Sequence, residues 1–554
     1  MARNHKNEFK TSRSEDRPIA YSASSAPVKD LFESFLIAFM LAFVLRAYVV
    51  EAFVIPTGSM APSLLGQHVP ISCSQCGYHF KVDVPTSGSG SAKAMPLRMQ
   101  QEVTCPMCHL PILLGMGVRP QAGDRILIHK YIYSFSHPKR WDVVVFKNPS
   151  NPHQNYIKRL VGLPGETLLI VEGNVYTKSQ GEDLSAWGIA RKTNTLENPH
   201  ATEIQRSLWQ PIYHSQYVPI DLGEPGRGIR RLPWRCPWKA IDGQWQINGH
   251  RSYRYGSLTH GAIAFSFEQQ YHKGFDWYPY NQLKEQHGNL TRRRIIPHPI
   301  EEVRIAAAFE PDQLGLSLSL STTARLDQVS ETARALPLVG RIDASGLASL
   351  EVQAPGEEIR VLARKQISPL PRGRATDVEL WYVDQEASLW VNGKCILKWY
   401  FDFDDIATVR RRNRLAGNSF PRITIAVSGS PVTLHRIQVD RDIVYISDDP
   451  HGRVGRGTLS KMSPQFRGYP VEILEGQFFC LGDNSPLSHD GRFWNKVDPW
   501  IGRTMLVDER YRYGVVPDQL LMGKAFFVYF PAPYAPRPNW LGILPNFGEM
   551  RFIR

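Results

Sequence analysis

The sequence predicts a mainly β protein with a single N-terminal transmembrane helix, an inserted β-sandwich and a small four-cysteine insertion. Three observations predict it. One apolar run, Ser34 to Val50, is interrupted only by Arg46 and follows a charged N-terminus. Beyond it, short apolar stretches alternate with Gly, Pro and Asn turns, and no long helical period intervenes. Two Cys-x-x-Cys pairs, Cys73/Cys76 and Cys105/Cys108, lie early in the chain. At 554 residues the chain exceeds one ordinary domain, so several units are expected.

The charged flanks set the orientation of the apolar run. Residues 1–29 carry six Lys/Arg (Arg3, Lys6, Lys10, Arg13, Arg17, Lys29), and after Arg46 none follows until Lys81. The positive-inside rule then keeps the N-terminus cytoplasmic and exports the rest. A cleaved signal peptide is the competing reading, but the polar region before the run is long and no small-x-small site follows it. The formal net charge is +13. No basic stripe or recognition motif localises that charge, so nucleic acid is not an expected partner, whereas an anionic membrane surface is.

Next come the elements in chain order. Residues 51–65 read as an extended exit from the membrane. Residues 73–118 form a small unit whose paired Cys-x-x-Cys spacing is that of a zinc ribbon, with Gly77 at the first knuckle and Pro85–Ser91 as a flexible loop. Structural zinc is expected there, and disulfides compete because the unit is exported. Strands are predicted over Arg125–His129, Asp142–Phe146, Tyr156–Val161 and Thr167–Val171, with a turn at Leu163–Gly165. Further strands, Val378–Val383, Ala387–Lys394 around an Asn392-Gly393 turn, Thr424–Val427 and Val432–Val439, alternate apolar and polar residues as in a two-sheet sandwich. Cys480 sits in a buried-strand pattern, and the apolar stretches Ala525–Phe530 and Trp540–Leu544 are too short to span a bilayer.

Several of these stretches form an ordered set. Ile55-Pro56-Thr57-Gly58-Ser59-Met60-Ala61-Pro62 is followed by Gly123-Asp124-Arg125, Trp141–Phe146, Tyr156-Ile157-Lys158-Arg159, then Gly482-Asp483-Asn484 and Ser488-His489-Asp490-Gly491-Arg492. Set and order resemble bacterial type I signal peptidase, a membrane-anchored serine protease with a Ser/Lys dyad. The departures are Thr57 for a usual Ser, Ser485 for a usual Arg and Gly491 for a usual Ser. The resemblance implies an all-β catalytic domain, Ser59 as nucleophile and Lys158 as general base. It also implies oxyanion donors at the Ser59 N–H and the Thr57 hydroxyl. Ser488 would orient the lysine, Asp490 and Arg492 would form a supporting ion pair, and Asp483 would be a structural carboxylate. Phe53, Ile55, Met60, Leu64, Tyr156 and Ile157 match positions lining shallow apolar substrate pockets, each with core packing as its alternative. A lysine can serve as base only when neutral, and burial on an apolar strand supplies that condition. Taken alone, Lys158 reads sooner as a surface lysine beside Arg159 on a basic strand edge, and the ordered set of boxes reverses that reading.

The division that follows is a disordered cytoplasmic tail over 1–29, a transmembrane helix over 30–52, the serine segment over 53–72 and the four-cysteine insertion over 73–118. The catalytic β domain begins over 119–177. A connecting segment fills 178–214, the sandwich 215–445, and the second part of the catalytic domain 446–554. The Leu389–Gly393 stretch and the closing Val439–Ile443 are similar to a laminin-G or concanavalin-A-like jelly roll. The expected function is removal of signal peptides from exported preproteins after a small-x-small motif, with no cofactor for catalysis. The expected place is the bacterial cytoplasmic membrane, catalytic domain on its outer face. The alternative is a membrane-anchored glycan- or protein-binding module on a peptidase-derived scaffold, and a glycan or protein is the candidate ligand of the sandwich.

Overall fold

The computed structural model describes residues 26–84, 101–116, 118–171, 173–183, 186–222, 234–249, 251–268, 294–295, 299–324, 336–353, 358–401, 420–445, 447–448, 453–455, 470–494, 496–506, 513–531 and 546–554. Most of the expected tail, the Pro85–Ser91 loop and Trp540–Leu544 lie outside these. Two units are distinguished, residues 1–51 and 52–554.

Among its described residues the first unit contains one helix, α1 (Ala26–Tyr48). A transmembrane helix over 30–52 was expected. The helix instead ends at Tyr48 and a strand starts at Val50. Among the described residues no helix is long and apolar enough to cross a membrane. Lys29, Asp30 and Glu33 occupy its first turns and Arg46 its last, which confines the uncharged stretch to residues 34–45. Leu31, Phe32, Phe35 and Ile37 are all exposed along it.

The second unit is mainly β. Its first sheet uses β1 (Val50–Val54), β2 (Arg125–His129), β3 (Val143–Asn148), β4 (Asn151–Gly162), β5 (Gln477–Leu481), β6 (Val515–Pro517) and β7 (Leu521–Phe530). The spatial order is β1-β2-β7-β3-β4-β5-β6, with Arg551–Phe552 added on β7. Strand β3 is hydrophobic on both faces and almost wholly buried, as a central strand requires. Antiparallel pairing of β4 with β5, Cys480 opposite Leu160 and Leu481 opposite Arg159, joins chain segments more than three hundred residues apart. A four-stranded sheet beside it orders Gly188–Ile189, Asn174–Ser179, Glu166–Val171 and Val471–Ile473.

Between these segments lies a sandwich of an eight-stranded and a seven-stranded sheet. Ile305, Leu380 and Leu389 of one sheet share a buried core with Leu320, Leu338 and Leu350 of the other. At Gly340 a Cβ would lie 2.9 Å from Leu389 Cδ1, so the sheets meet there on a bare backbone. Asn392 and Gly393 have φ of 47° and 76°, and join Glu386–Val391 to Lys394–Tyr400 as the sequence signalled.

The sandwich starts before the expected residue 215 and ends before the expected 445. Strand Gln210–His214 pairs with Val432–Arg441. At the other end Ile443 and Tyr445 are buried in the core of the first sheet. The connecting segment also folds a helix, Ala201–Leu208, that the sequence did not announce. Its inward residues Ala201, Ile204 and Leu208 fill barely two turns, too short a window for a period to register. From it Arg206 lies 4.8 Å from the Trp381 ring and 5.0 Å from that of Trp390.

Two hairpins carry the cysteines, His68–Ser72 with His79–Asp83 and Gln101–Thr104 with Pro111–Leu114. The first begins inside the segment assigned to the serine. Their buried side chains join the core of the sandwich, and the Tyr78 ring meets that of Tyr217 at 4.8 Å.

Candidate functional site

Ser59 sits on a single 3-10 turn, Gly58–Met60, in a loop held by close backbone approaches. A Cβ on Gly66 would lie 2.2 Å from the Thr57 carbonyl carbon, and one on Gly123 would lie 2.0 Å from the Ile55 oxygen. Only glycine admits either contact. Asp124 fastens the loop: its backbone N–H donates to the Leu65 oxygen at 2.9 Å, and its carboxylate accepts from the Leu65 N–H at 3.1 Å and from Arg551 at 3.0 Å.

Lys158 lies on β4 opposite Val144 of β3 and is 4% exposed. Its Nζ donates to Ser59 Oγ at 2.6 Å and to the Ile157 carbonyl at 3.0 Å. Burial pulls the amine down to about 8, against Asp490 and Asp483, whose charges act the other way. The surface alternative therefore fails for this strand, and Arg159 is no surface residue either. Successive strand side chains point to opposite faces. Arg159 faces away from the serine and makes two 2.7 Å bonds to Asp483, both residues fully buried.

The last box folds under the serine loop. The Asn484 N–H donates to the Ser59 carbonyl at 3.1 Å and its side chain to the Gly58 carbonyl at 3.0 Å. Sequence reasoning gave Asn484 no role, although its place in Gly482-Asp483-Asn484 was the available signal. Gly482 is required because a Cβ there would lie 2.1 Å from Ser488 Oγ and 2.5 Å from the Ser59 oxygen. Asp490 and Arg492 pair at 2.7 Å, and Asp490 also accepts from the Gly482 N–H at 2.9 Å. Burial opposes ionisation of Asp490, yet Arg492 holds the carboxyl below its ordinary range. Ser485, the departure from the usual Arg, accepts from Arg492 at 2.8 Å.

Ser488 is buried and no hydrogen bond joins it to Lys158; its hydroxyl lies beside Gly482 and Asp490. Of the six pocket residues, Ile55, Met60, Leu64 and Ile157 are buried in the core beneath the sheet, and only Phe53 and Tyr156 keep part of their surface open. Thr57 is exposed one residue before the turn, and its hydroxyl does not cap it.

The four cysteines converge. All four Sγ atoms lie within 4.8 Å of one another, with Cys73–Cys108 and Cys76–Cys105 each at 3.6 Å. That is close to the edge of a tetrahedron with bonds of about 2.3 Å to a central zinc, roughly 3.8 Å, and far beyond a disulfide bond of about 2.05 Å. The donor set fits the metal.

Fold and site together define a β protein with a buried lysine bonded to a serine hydroxyl. Residues 115–218 and 424–530 match the family model for signal peptidase, peptidase S26. Signal peptidase I of Pseudomonas fluorescens is 29% identical over 221 residues, covering 39% of this chain and 54% of the relative. That of Leptolyngbya laminosa is 37% identical over 117 residues, covering 16% and 58%, and that of Aquifex aeolicus 27% over 140 residues, covering 25% and 32%. The chain thus spans between 32% and 58% of the length of these relatives. These matches support the signal peptidase I family and, with it, a serine peptidase. Among solved structures, the carbohydrate binding module CBM66 from Bacillus subtilis is 8% identical, covering 37% of this chain and 95% of that one, at a TM-score of 0.22. A Bacillus subtilis protein of unknown function with a galectin-like fold is 12% identical, covering 37% and 90%, at a TM-score of 0.23.

Proposed function

We propose that this chain is a signal peptidase, a serine endopeptidase that removes signal peptides from exported preproteins after a small-x-small motif. The observation that carries the reading is the 2.6 Å contact between Ser59 Oγ and a buried Lys158 amine. When Lys158 is neutral, the Ser59 hydroxyl donates its proton to Nζ as oxygen attacks the scissile carbonyl. The ammonium so formed returns the proton to the leaving amine. The Ser59 N–H and the Thr57 hydroxyl would receive the oxyanion, each such donor being worth about 3 kcal/mol. Asn484, Asp490 and Arg492 hold the loop in place, and this chemistry needs no cofactor. The sandwich holds neither dyad residue, and we assign it no chemistry.

The exposed apolar side chains of α1 and the basic residues before it support a lipid partner, with the N-terminus cytoplasmic. Protease added outside sealed spheroplasts would then digest the chain and spare a short N-terminal fragment. Protection of the β unit refutes that orientation. The cysteine geometry supports one structural zinc, held by Cys73, Cys76, Cys105 and Cys108. Zinc would supply folding energy there and no catalysis. The decisive experiment on the dyad is cleavage of a labelled preprotein by Ser59→Ala and Lys158→Met. Each is expected to lose activity while keeping the wild-type circular dichroism, and full activity in either sinks the assignment.

A further inference from the structure

One contact crosses from the four-cysteine unit to the nucleophile loop. A Cβ built on Gly58 would lie 2.5 Å from Cγ and Oδ2 of Asp83 and 2.7 Å from its Oδ1. The Asp83 carboxyl therefore occupies the space that Gly58 leaves empty, directly before Ser59. Glycine is the freest residue of the backbone, and a peptide plane ending at Gly58 is poorly fixed unless something packs on it. Asn484 holds the Gly58 carbonyl, and Asp83 packs against the Cα.

Asp83 is the last residue of strand His79–Asp83, paired opposite His68, while Ser72 pairs with His79 at the far end. Cys73 follows Ser72 directly, and its N–H donates to the Tyr78 carbonyl at 3.0 Å, closing the knuckle. The same hairpin is bonded to the nucleophile loop at its base, Gln67 N–H to the Pro56 carbonyl and Val84 N–H to the Gln67 carbonyl, each at 3.4 Å. The knuckle thus sets the register of the strand, and the register sets Asp83. A slip of one residue would turn its side chain to the opposite face. Burial pushes the Asp83 carboxyl up to about 7, as a packed group would be, with the Val84 N–H opposing.

We propose that Asp83 is a positioning residue for the nucleophile loop, and that metal held by the four cysteines sets the cleavage rate through it. This rests on the peptidase and zinc readings above. The test uses the full chain as wild type, as Asp83→Ala and Asp83→Asn, and as wild type stripped by a chelator and reloaded with zinc. Three readouts are taken: zinc content, amide hydrogen exchange of residues 55–66, and kcat and KM on a signal-peptide substrate. Asp83→Ala is expected to keep its zinc and its KM while kcat falls on the order of 10- to 100-fold and exchange over 55–66 speeds up. Asp83→Asn, of equal shape, is expected to stay near wild type in both, which packing predicts and a general loss of fold does not. Stripped protein should show the same two changes as Asp83→Ala, reversed by reloading. Unchanged exchange and kcat in Asp83→Ala or in stripped protein overturns the inference, as does a wild-type protein that binds no zinc. A wild type that cleaves nothing sinks the peptidase reading alone, and the exchange data still decide the coupling.

Discussion

Lys158 and Arg159 are neighbours in one strand with opposite tasks. Lys158 is buried beside a hydroxyl without a paired carboxylate, and desolvation lowers it from 10.5 to about 8, equivalent to about 3 kcal/mol against its charged form. A base with a lowered value is mostly protonated below 8 and neutral above it. Cleavage at limiting substrate should therefore rise about tenfold per pH unit below 8 and level off above. A profile that falls through that range, or one centred near 6.5, rules the lysine out as base. Arg159 is equally buried but is paid for by two bonds to Asp483. Removing one partner leaves a buried unpaired charge, so Asp483→Ala should lose about 3–5 kcal/mol of stability in a denaturant titration. A loss under about 1 kcal/mol would mean that water or another group replaces the carboxylate.

At the scale of elements, the site is a turn bonded to an interior strand of the first sheet. β4 brings the lysine, and the segment after β5 brings the support. Their junction is Gly482, squeezed between the Ser488 hydroxyl and the Ser59 carbonyl. Gly482→Ala should push the serine turn away and abolish cleavage, while zinc content and the sandwich remain intact. The separate roles can be read from a metal assay and tryptophan fluorescence on the same sample. An active Gly482→Ala protein would show that the turn tolerates displacement of its carbonyl.

At the scale of the whole molecule, buried polar contacts join the segments of residues 52–554. Lys192 of the connecting segment reaches Asp384 at 2.7 Å and Asp442 at 2.9 Å, and Asn174 donates to Glu302 at 2.8 Å. Burial raises Glu302 and Asp384 above the usual carboxylate range, and charge repulsion from the neighbouring acids adds to it. The coupling of Lys192 to Asp384 and Asp442 holds the lysine well above its ordinary value despite burial. Any excision of the sandwich takes Asp384 and Asp442 away from the buried Lys192, so the choice of ends decides how much more is lost. Replacing residues 209–442 by a Gly/Ser linker removes Trp209 together with the sheet it packs on and keeps Ile443 and Tyr445 in the first core. That protein leaves Lys192 without its carboxylates and the cysteine hairpins without the core they share, so it should melt below the full chain and cut a minimal signal peptide more slowly. Replacing 215–445 strands Gln210–His214 without a partner and removes both core residues, and should melt markedly lower in a thermal scan. Equal melting of the two would show that the boundary is immaterial.

The sequence alone determined what is local. Short apolar runs between turns gave β2 to its ends, β3 to within two residues and the C-terminal half of β4, the Asn392-Gly393 turn needed left-handed backbone, and the ordered boxes named Ser59 and Lys158 before any contact was known. It placed the first helix over 30–52, whereas α1 runs over Ala26–Tyr48, because Lys29, Asp30 and Glu33 are taken into its first turns and a strand begins at Val50. Only the tertiary structure decided which side chains face which. Arg159 and Asp483 are 324 residues apart, and Asn484 and Gly58 are 426 apart. It also assigned Met60 and Leu64 to the core, freed Ser488 from Lys158 and set Asp83 on Gly58. Periodicity reports which face of an element is buried, but not what covers it, because the covering group arrives from another part of the chain.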